Sequence, residues 1–163
     1  RAPAVQRAAF EAQLDLARRH ELPIVIHQRA AEADLIDVLQ PRAELPPVVL
    51  HSFDGSERLA RFARERGYFA GVGGLATRPA NASLRAILAT LSLSSIVLET
   101  DAPYLVPAGV RARRNEPAFL MATANRLADL WHVEPATLLA ASGATARRLL
   151  RLPQPESAGE PRS

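Results

Sequence analysis

The sequence predicts an α/β fold in which parallel strands alternate with helices, as either an open sheet or a barrel. Apolar runs rich in Val and Ile end in polar residues at residues 23–27, 47–51 and 95–101. These runs do not alternate apolar with polar residues, which is typical of strands buried on both faces of a parallel sheet. Segments with apolar residues at helical spacing separate the runs, so each strand is expected to lead into a helix.

The complete prediction is one domain of four strands and six helices, followed by a tail. The predicted strands are residues 23–27, 47–51, 67–74 and 95–101, and the predicted helices are residues 5–19, 29–39, 56–66, 81–91, 115–131 and 135–150. Ser56 is the expected N-cap of the third helix. Residues 1–152 are assigned to the domain, whereas the Pro, Ser, Gly and Glu content of residues 153–163 predicts a flexible tail.

The composition is typical of a globular domain. Of the 163 residues, 48% are hydrophobic and 23% are charged. No apolar run approaches the roughly 18 residues that span a bilayer, and residues 1–10 lack the apolar segment of a signal peptide. We therefore expect a cytoplasmic protein without a membrane partner. The absence of Cys excludes disulfides and thiolate metal sites, which leaves His, Asp, Glu and water as metal ligands.

The basic residues are all Arg, and the formal net charge is +3. The guanidinium group binds phosphate through two parallel hydrogen bonds, which suits a polyanionic substrate. A preference for Arg over Lys is equally typical of a biased genome composition. Composition alone therefore does not indicate nucleic-acid binding.

Three of the four predicted strands carry potential metal ligands at their carboxyl ends. His27 ends the first strand, His51 ends the second, and Glu99 and Asp101 end the fourth. Because the carboxyl ends of parallel strands lie at one rim, these side chains are expected to meet there. Imidazole and carboxylate groups suit Zn²⁺, Mn²⁺ or a similar divalent ion. The alternative is that each His is a hydrogen-bonded structural residue, and spacing alone leaves both interpretations open.

Four ordered motifs resemble the successive signatures of the TatD family of metal-dependent hydrolases. They are PIVIHQRA at residues 23–30, LHSFDGS at 50–56, LETDAPYL at 98–105 and RARRNEP at 111–117. The resemblance covers about residues 5–150, and it implies a (β/α)8 TIM-type barrel with a two-metal centre at its C-terminal rim. Since a complete barrel has eight strands, the four strands are expected to be strands five to eight, the C-terminal half.

The resemblance also implies individual roles. His27 and His51 match ligands of one metal ion, and Asp101 matches a residue that belongs to the other ion and its attacking water. The ions of the full-length protein are expected to be Mg²⁺, Mn²⁺ or Zn²⁺. Glu99 is expected to orient a ligand or the loop rather than to bind metal itself.

Two parts of the family's metal site are absent from this sequence. The family has a His-x-His pair on its first strand and a bridging Glu on its fourth, and neither motif occurs here. We therefore expect the N-terminal half of the barrel to be missing. A two-metal mechanism requires both halves, so the 163-residue chain is expected to be inactive by itself.

The loop after the fourth strand carries three candidate substrate-binding residues. Arg111, Arg113 and Arg114 are positioned to clamp a phosphodiester. The alternative is a solvated basic loop, because Arg114 can equally pair with Glu116.

Two further features admit structural interpretations. Asn115 precedes Glu-Pro and is interpreted as the N-cap of the fifth helix. The glycines at 71, 73 and 74 either keep the rim open to substrate or permit tight packing.

The favoured function is hydrolysis of phosphodiester bonds in DNA by metal-activated water, with Asp101 as the catalytic residue. One alternative is a metal-dependent amide, ester or lactone hydrolase on the same barrel, since fold does not determine function. The other is an inactive truncated chain. Activity assays distinguish the two hydrolase functions. The coding region upstream of Arg1 decides whether the chain is a truncated fragment.

Overall fold

The computed structural model describes residues 3–153 and contains one parallel sheet of four strands in the order β1-β2-β3-β4. The strands are β1 (Ile24–His27), β2 (Val48–His51), β3 (Phe69–Val72) and β4 (Ile96–Leu98). All three neighbouring pairs are parallel. The predicted α/β class is therefore confirmed, with β1 and β4 at the two edges of the sheet as described.

Six α-helices accompany the strands: α1 (Pro3–Arg19), α2 (Glu32–Leu39), α3 (Glu57–Arg66), α4 (Ala82–Leu88), α5 (Leu120–Leu127) and α6 (Pro135–Leu149). The fifth helix is shorter than predicted, because 3-10 turns at Pro117–Phe119 and Ala128–Trp131 replace its two ends. The predicted tail lies outside the described residues, apart from Pro153.

Helix α3 shows how local sequence sets the ends of an element. The Ser56 hydroxyl accepts hydrogen bonds from the backbone N–H groups of Arg58 and Leu59, so the predicted N-cap is confirmed. Gly67 ends the helix in the left-handed conformation, at a φ of 65°, which Gly adopts without a steric penalty.

One face of the sheet forms the core with the helices. Because side chains alternate between faces, every second strand residue points the same way. On this face, Ile26, Val48, Leu50, Ile96 and Leu98 are all buried within the main hydrophobic cluster. Leu59 of α3 and Leu138 of α6 belong to the same cluster, which fixes the strands against the helices.

The opposite face of the sheet is partly exposed, which corrects the prediction that the strands are buried on both faces. Val25 is 60% exposed, and His27 beside it is also exposed. Phe69 and Val97, on the same face of β3 and β4, are only partly buried. Whether a residue on this face is buried depends on which part of the protein packs against the sheet. An apolar run in the sequence does not reveal that packing. The face ends in the candidate site described next.

Among the described residues, 3–153, no helix is both long and apolar enough to cross a membrane.

Candidate metal centre

The predicted ligands from the first two strands lie side by side at the carboxyl rim of the sheet. His27 and His51 are register partners at the last positions of β1 and β2. Their ring centroids are 5.6 Å apart. Parallel pairing in register thus places two imidazoles on the same face, as the strand-end pattern predicts.

The His51 imidazole lies between the two acidic residues that follow β4. Its Nδ1 is 2.8 Å from Oε1 of Glu99, and its Nε2 is 3.1 Å from Oδ1 of Asp101. The three side chains are only 20–33% exposed, so they interact in a partly dehydrated environment. With Nδ1 paired to Glu99, Nε2 is the ring nitrogen that faces Asp101.

The two carboxylates make this rim strongly favourable for a positive charge. Partial burial lowers the pKa of His51, but the hydrogen bond and charge of Glu99, followed by those of Asp101, outweigh that effect. The pKa of His51 is therefore raised above its ordinary value of 6.5. The same negative field suits a divalent cation, and the imidazole and carboxylate donors match the ligand preferences of such ions.

The backbone after β2 and a glycine of β3 hold Glu99 in place. The Ser52 N–H donates to Oε1 of Glu99, the same oxygen that pairs with His51. A Cβ at Gly71 would lie 2.6 Å from Oε2 of Glu99, so only Gly leaves room for this carboxylate. Of the two interpretations of the β3 glycines, tight packing is therefore the one that the structure supports.

Replacing Gly71 by Ala tests this packing. The added methyl group displaces the Glu99 carboxylate, which then no longer orients His51. We expect metal affinity of the full-length protein to fall by about 10- to 100-fold, the usual effect of losing a group that orients a ligand. Isothermal titration calorimetry with Mn²⁺ or Zn²⁺ measures this affinity.

Gly143→Ala is the matched control, because a Cβ at this helical position meets nothing within 4 Å. It should leave metal affinity unchanged. Equal affinities for Gly71→Ala and Gly143→Ala would refute the role of Gly71.

The described donors form only part of a metal site. The His27 ring contacts His51 but makes no hydrogen bond or ion pair within residues 3–153. Across that same range, no group of three or more His, Asp or Glu side chains is close enough to hold a metal ion. His27, His51 and Asp101 thus fit a metal chemically but require further donors, and their assignment as ligands stays a prediction.

A cavity of about 530 Å³ lies between α1, α2 and the end of β1. Its lining includes Phe10, Ile26, His27 and Leu35 but not His51, Glu99 or Asp101. We therefore do not assign this cavity to the candidate centre.

The sequence of this chain matches that of a known protein family. The sequence model for TatD related DNases matches residues 1–151 of this chain. The chain belongs to the TatD family. The resemblance inferred from the four motifs is thus confirmed.

Two bacterial relatives show the extent of the match. A Cronobacter sakazakii protein named 3′-5′ ssDNA/RNA exonuclease TatD is 39% identical over 153 residues, which cover 90% of this chain and 58% of that protein. A Mycobacterium tuberculosis protein named metal-dependent hydrolase TatD is 34% identical over 146 residues, with 90% and 55% covered. The chain therefore spans a little over half the length of these relatives.

The fold is also that of a TatD homologue of known structure. The crystal structure of YjjV from Escherichia coli superimposes with a TM-score of 0.84 at 31% sequence identity. The match covers 92% of this chain and 58% of the crystallised chain.

The arginine motif of this TatD family member lies on a loop that the buried Asn115 side chain holds in place. Asn115 is 2% exposed, and its Nδ2 donates to the Leu105 carbonyl at 3.2 Å. Its backbone N–H donates to the Pro103 carbonyl at 2.9 Å. The interpretation of Asn115 as the N-cap of the fifth helix is wrong. The first turn begins at Pro117, after Glu116, and Asn115 instead joins the two arms of the loop.

The three arginines of this loop are exposed. Arg111 and Arg113 form no ion pair within the described part of the chain, whereas Arg114 lies 3.6 Å from Glu116. The Arg114 and Glu116 side chains are 76% and 49% exposed, so their pairing contributes at most about 1 kcal/mol to stability. The Arg114–Glu116 pair that a solvated basic loop would contain is therefore present. It is weak enough for Arg114 to bind a phosphate instead.

A second set of contacts, which the sequence did not predict, joins the segments after β1 and β2. The Glu32 carboxylate accepts from both the N–H and the hydroxyl of Ser56, at 3.1 and 2.7 Å. Gln28 donates to Asp54 in the same region. These residues follow the two strands that end in His27 and His51. Polar residues just after parallel strands are the sequence pattern from which these contacts could have been predicted. The contacts hold the rim loops around His27 and His51 together.

Proposed function

We propose that the full-length protein is a metal-dependent hydrolase that cleaves phosphodiester bonds in nucleic acid, with single-stranded DNA as its main substrate. The observation that carries this proposal is the placement of His51 between Glu99 and Asp101, beside His27, at the carboxyl rim of a parallel sheet. The relatives named as ssDNA/RNA exonucleases and metal-dependent hydrolases support it.

In this proposal, residues 1–152 form the C-terminal half of a (β/α)8 barrel, and the other half supplies the remaining metal ligands. Two divalent ions, Mg²⁺, Mn²⁺ or Zn²⁺, would be held at the rim, with His27 and His51 at one and Asp101 at the other. When bound, such ions activate water and neutralise charge on the phosphate.

The chain's own residues have distinct tasks in this reaction. Asp101 accepts the proton of the attacking water through a carboxylate oxygen. Glu99 holds Nδ1 of His51, so that Nε2 stays directed toward Asp101 and the metal position. Arg111, Arg113 and Arg114 bind phosphate oxygens and thereby position the scissile bond.

An assay of the full-length protein tests this function against its closest alternative. Labelled single-stranded DNA, the matching RNA, and panels of esters, amides and lactones are incubated with Mg²⁺, Mn²⁺ or Zn²⁺, or with chelator. We expect metal-dependent shortening of the oligonucleotides that chelation abolishes. Turnover of esters, amides or lactones without any cleavage of nucleic acid would overturn the proposal.

The arginine loop is tested by Ala substitution at Arg111, Arg113 and Arg114. Each change removes one phosphate contact, so we expect the apparent KM for single-stranded DNA to rise. The slope of log affinity against log salt should fall by about 0.7 per lost contact. Bound metal should not change.

Arg61→Ala is a suitable control, because Arg61 is an exposed arginine on α3 outside this loop. Its KM and salt dependence should match those of the unchanged protein. If the three loop variants behaved like Arg61→Ala, the loop would be an ordinary solvated surface.

A further inference from the structure

Tyr104 presents an aromatic ring to solvent beside the candidate centre. The five Phe, two Tyr and one Trp of the chain all lie within residues 3–153, and in this range Tyr104 is the only one of them that is exposed, at 73%. Aromatic side chains ordinarily bury most of their surface, and exposed ones are enriched where a ligand or partner binds.

The backbone places Tyr104 close to both Asp101 and the arginine loop. The Tyr104 N–H donates to the Asp101 carbonyl at 2.6 Å, so a tight turn joins the two residues. The neighbouring Pro103 carbonyl accepts from the Asn115 N–H, which brings Tyr104 next to Arg114 in the fold. An acid, an aromatic ring and a basic loop therefore share one short stretch of the rim.

Buried contacts on both sides restrain the segment that carries the ring. Leu105, the next residue, has a φ of 53° and accepts from the Asn115 side chain. The Thr77 hydroxyl, 1% exposed, accepts from the Ala108 N–H at 2.8 Å. A Cβ at Gly74 would collide with the Leu105 carbonyl, so the two loops are in close contact. The segment is thus held before any ligand arrives, which reduces the entropy cost of binding.

We infer that Tyr104 is a base-stacking platform, which holds a base of single-stranded nucleic acid next to the phosphodiester that is cleaved. This inference rests on the proposed function and identifies a residue that binds a base of the substrate. A base offers a flat π face to the ring, while Arg114 and its neighbours bind the phosphates. Bases of a duplex are already stacked on one another, so an exposed ring favours an unpaired strand.

Steady-state kinetics of the metal-loaded, full-length protein test the inference on a labelled oligo(dT). Alanine substitution of a stacking aromatic costs about 1–3 kcal/mol, so Tyr104→Ala should raise KM by roughly 5- to 150-fold. Tyr104→Phe keeps the ring and should stay within about twofold of the unchanged protein. Met121→Ala, which truncates an apolar side chain that is 54% exposed, is the matched control and should behave like Tyr104→Phe.

Substrates with a single abasic position identify the contact. Moving the abasic site along the oligonucleotide should reveal one position that raises KM for the unchanged protein. The same position should have no effect in Tyr104→Ala, because the ring that it contacts is already gone.

The outcomes separate this inference from the proposed function. Loss of no more than twofold in Tyr104→Ala, or an equal loss in Tyr104→Phe, would overturn the stacking role while leaving the nuclease proposal intact. An abasic effect that persists in Tyr104→Ala would also overturn it. Absence of oligonucleotide cleavage by the unchanged protein would overturn both.

Discussion

Replacing Asp101 by Asn is expected to lower kcat of the full-length protein on single-stranded DNA by about two to four orders of magnitude. Asn keeps the shape of the side chain but neither accepts the proton of water nor adds negative charge beside a metal. Asp101 lies three residues after the end of β4, with its Oδ1 3.1 Å from Nε2 of His51, so the end of the strand and the imidazole together set its position.

Measurements of kcat, bound metal and melting temperature on the same samples check this prediction. Stability should change little, because Asp101 is partly exposed and outside the hydrophobic core. Asp129→Asn, an exposed acid in the turn after α5, is the control and should keep full activity. Wild-type kcat in Asp101→Asn at full metal loading would contradict the assignment, and Glu99 would become the next candidate for the base.

Replacing either His27 or His51 by Ala should reduce metal occupancy first and activity as a consequence. Loss of a direct ligand should weaken metal binding by more than the roughly 10- to 100-fold that follows loss of an orienting group. Metal affinity by titration and metal content by elemental analysis measure the effect. Restoring occupancy with excess metal should recover part of the activity, which distinguishes these variants from Asp101→Asn.

His132→Ala and His20→Ala are the matched controls, since both residues are exposed and neither follows the carboxyl end of a strand. Both should keep full metal content. If His27→Ala and His51→Ala matched them, the two residues would be structural histidines, the alternative that the spacing left open.

Much of the fold was predictable because its signals are local. The β-branched runs that became β1 and β2 end at the predicted residues, His27 and His51. The Ser56 cap depends on hydrogen bonds to residues only two and three positions away. Parallel pairing then carries the two histidines to one rim, as predicted.

The errors arise where distant contacts decide the outcome. Val25 is exposed on the edge strand β1, whereas its register partner Val49 on β2 is buried, although the sequence context of the two residues is equally apolar. Asn115 has the local sequence of a helix cap, yet its side chain bonds Leu105, ten residues earlier. Gly71 makes room for Glu99, which is 28 residues away along the chain, so no local pattern reveals it.

Anomalous scattering from crystals of the full-length protein grown with Mn²⁺ tests most directly whether His27, His51 and Asp101 share a metal centre at the rim. We expect anomalous peaks at this rim, with nitrogen or oxygen atoms of all three residues at about 2.0–2.3 Å from a metal ion. Peaks elsewhere at saturating Mn²⁺, with none at the rim of the sheet, would contradict it.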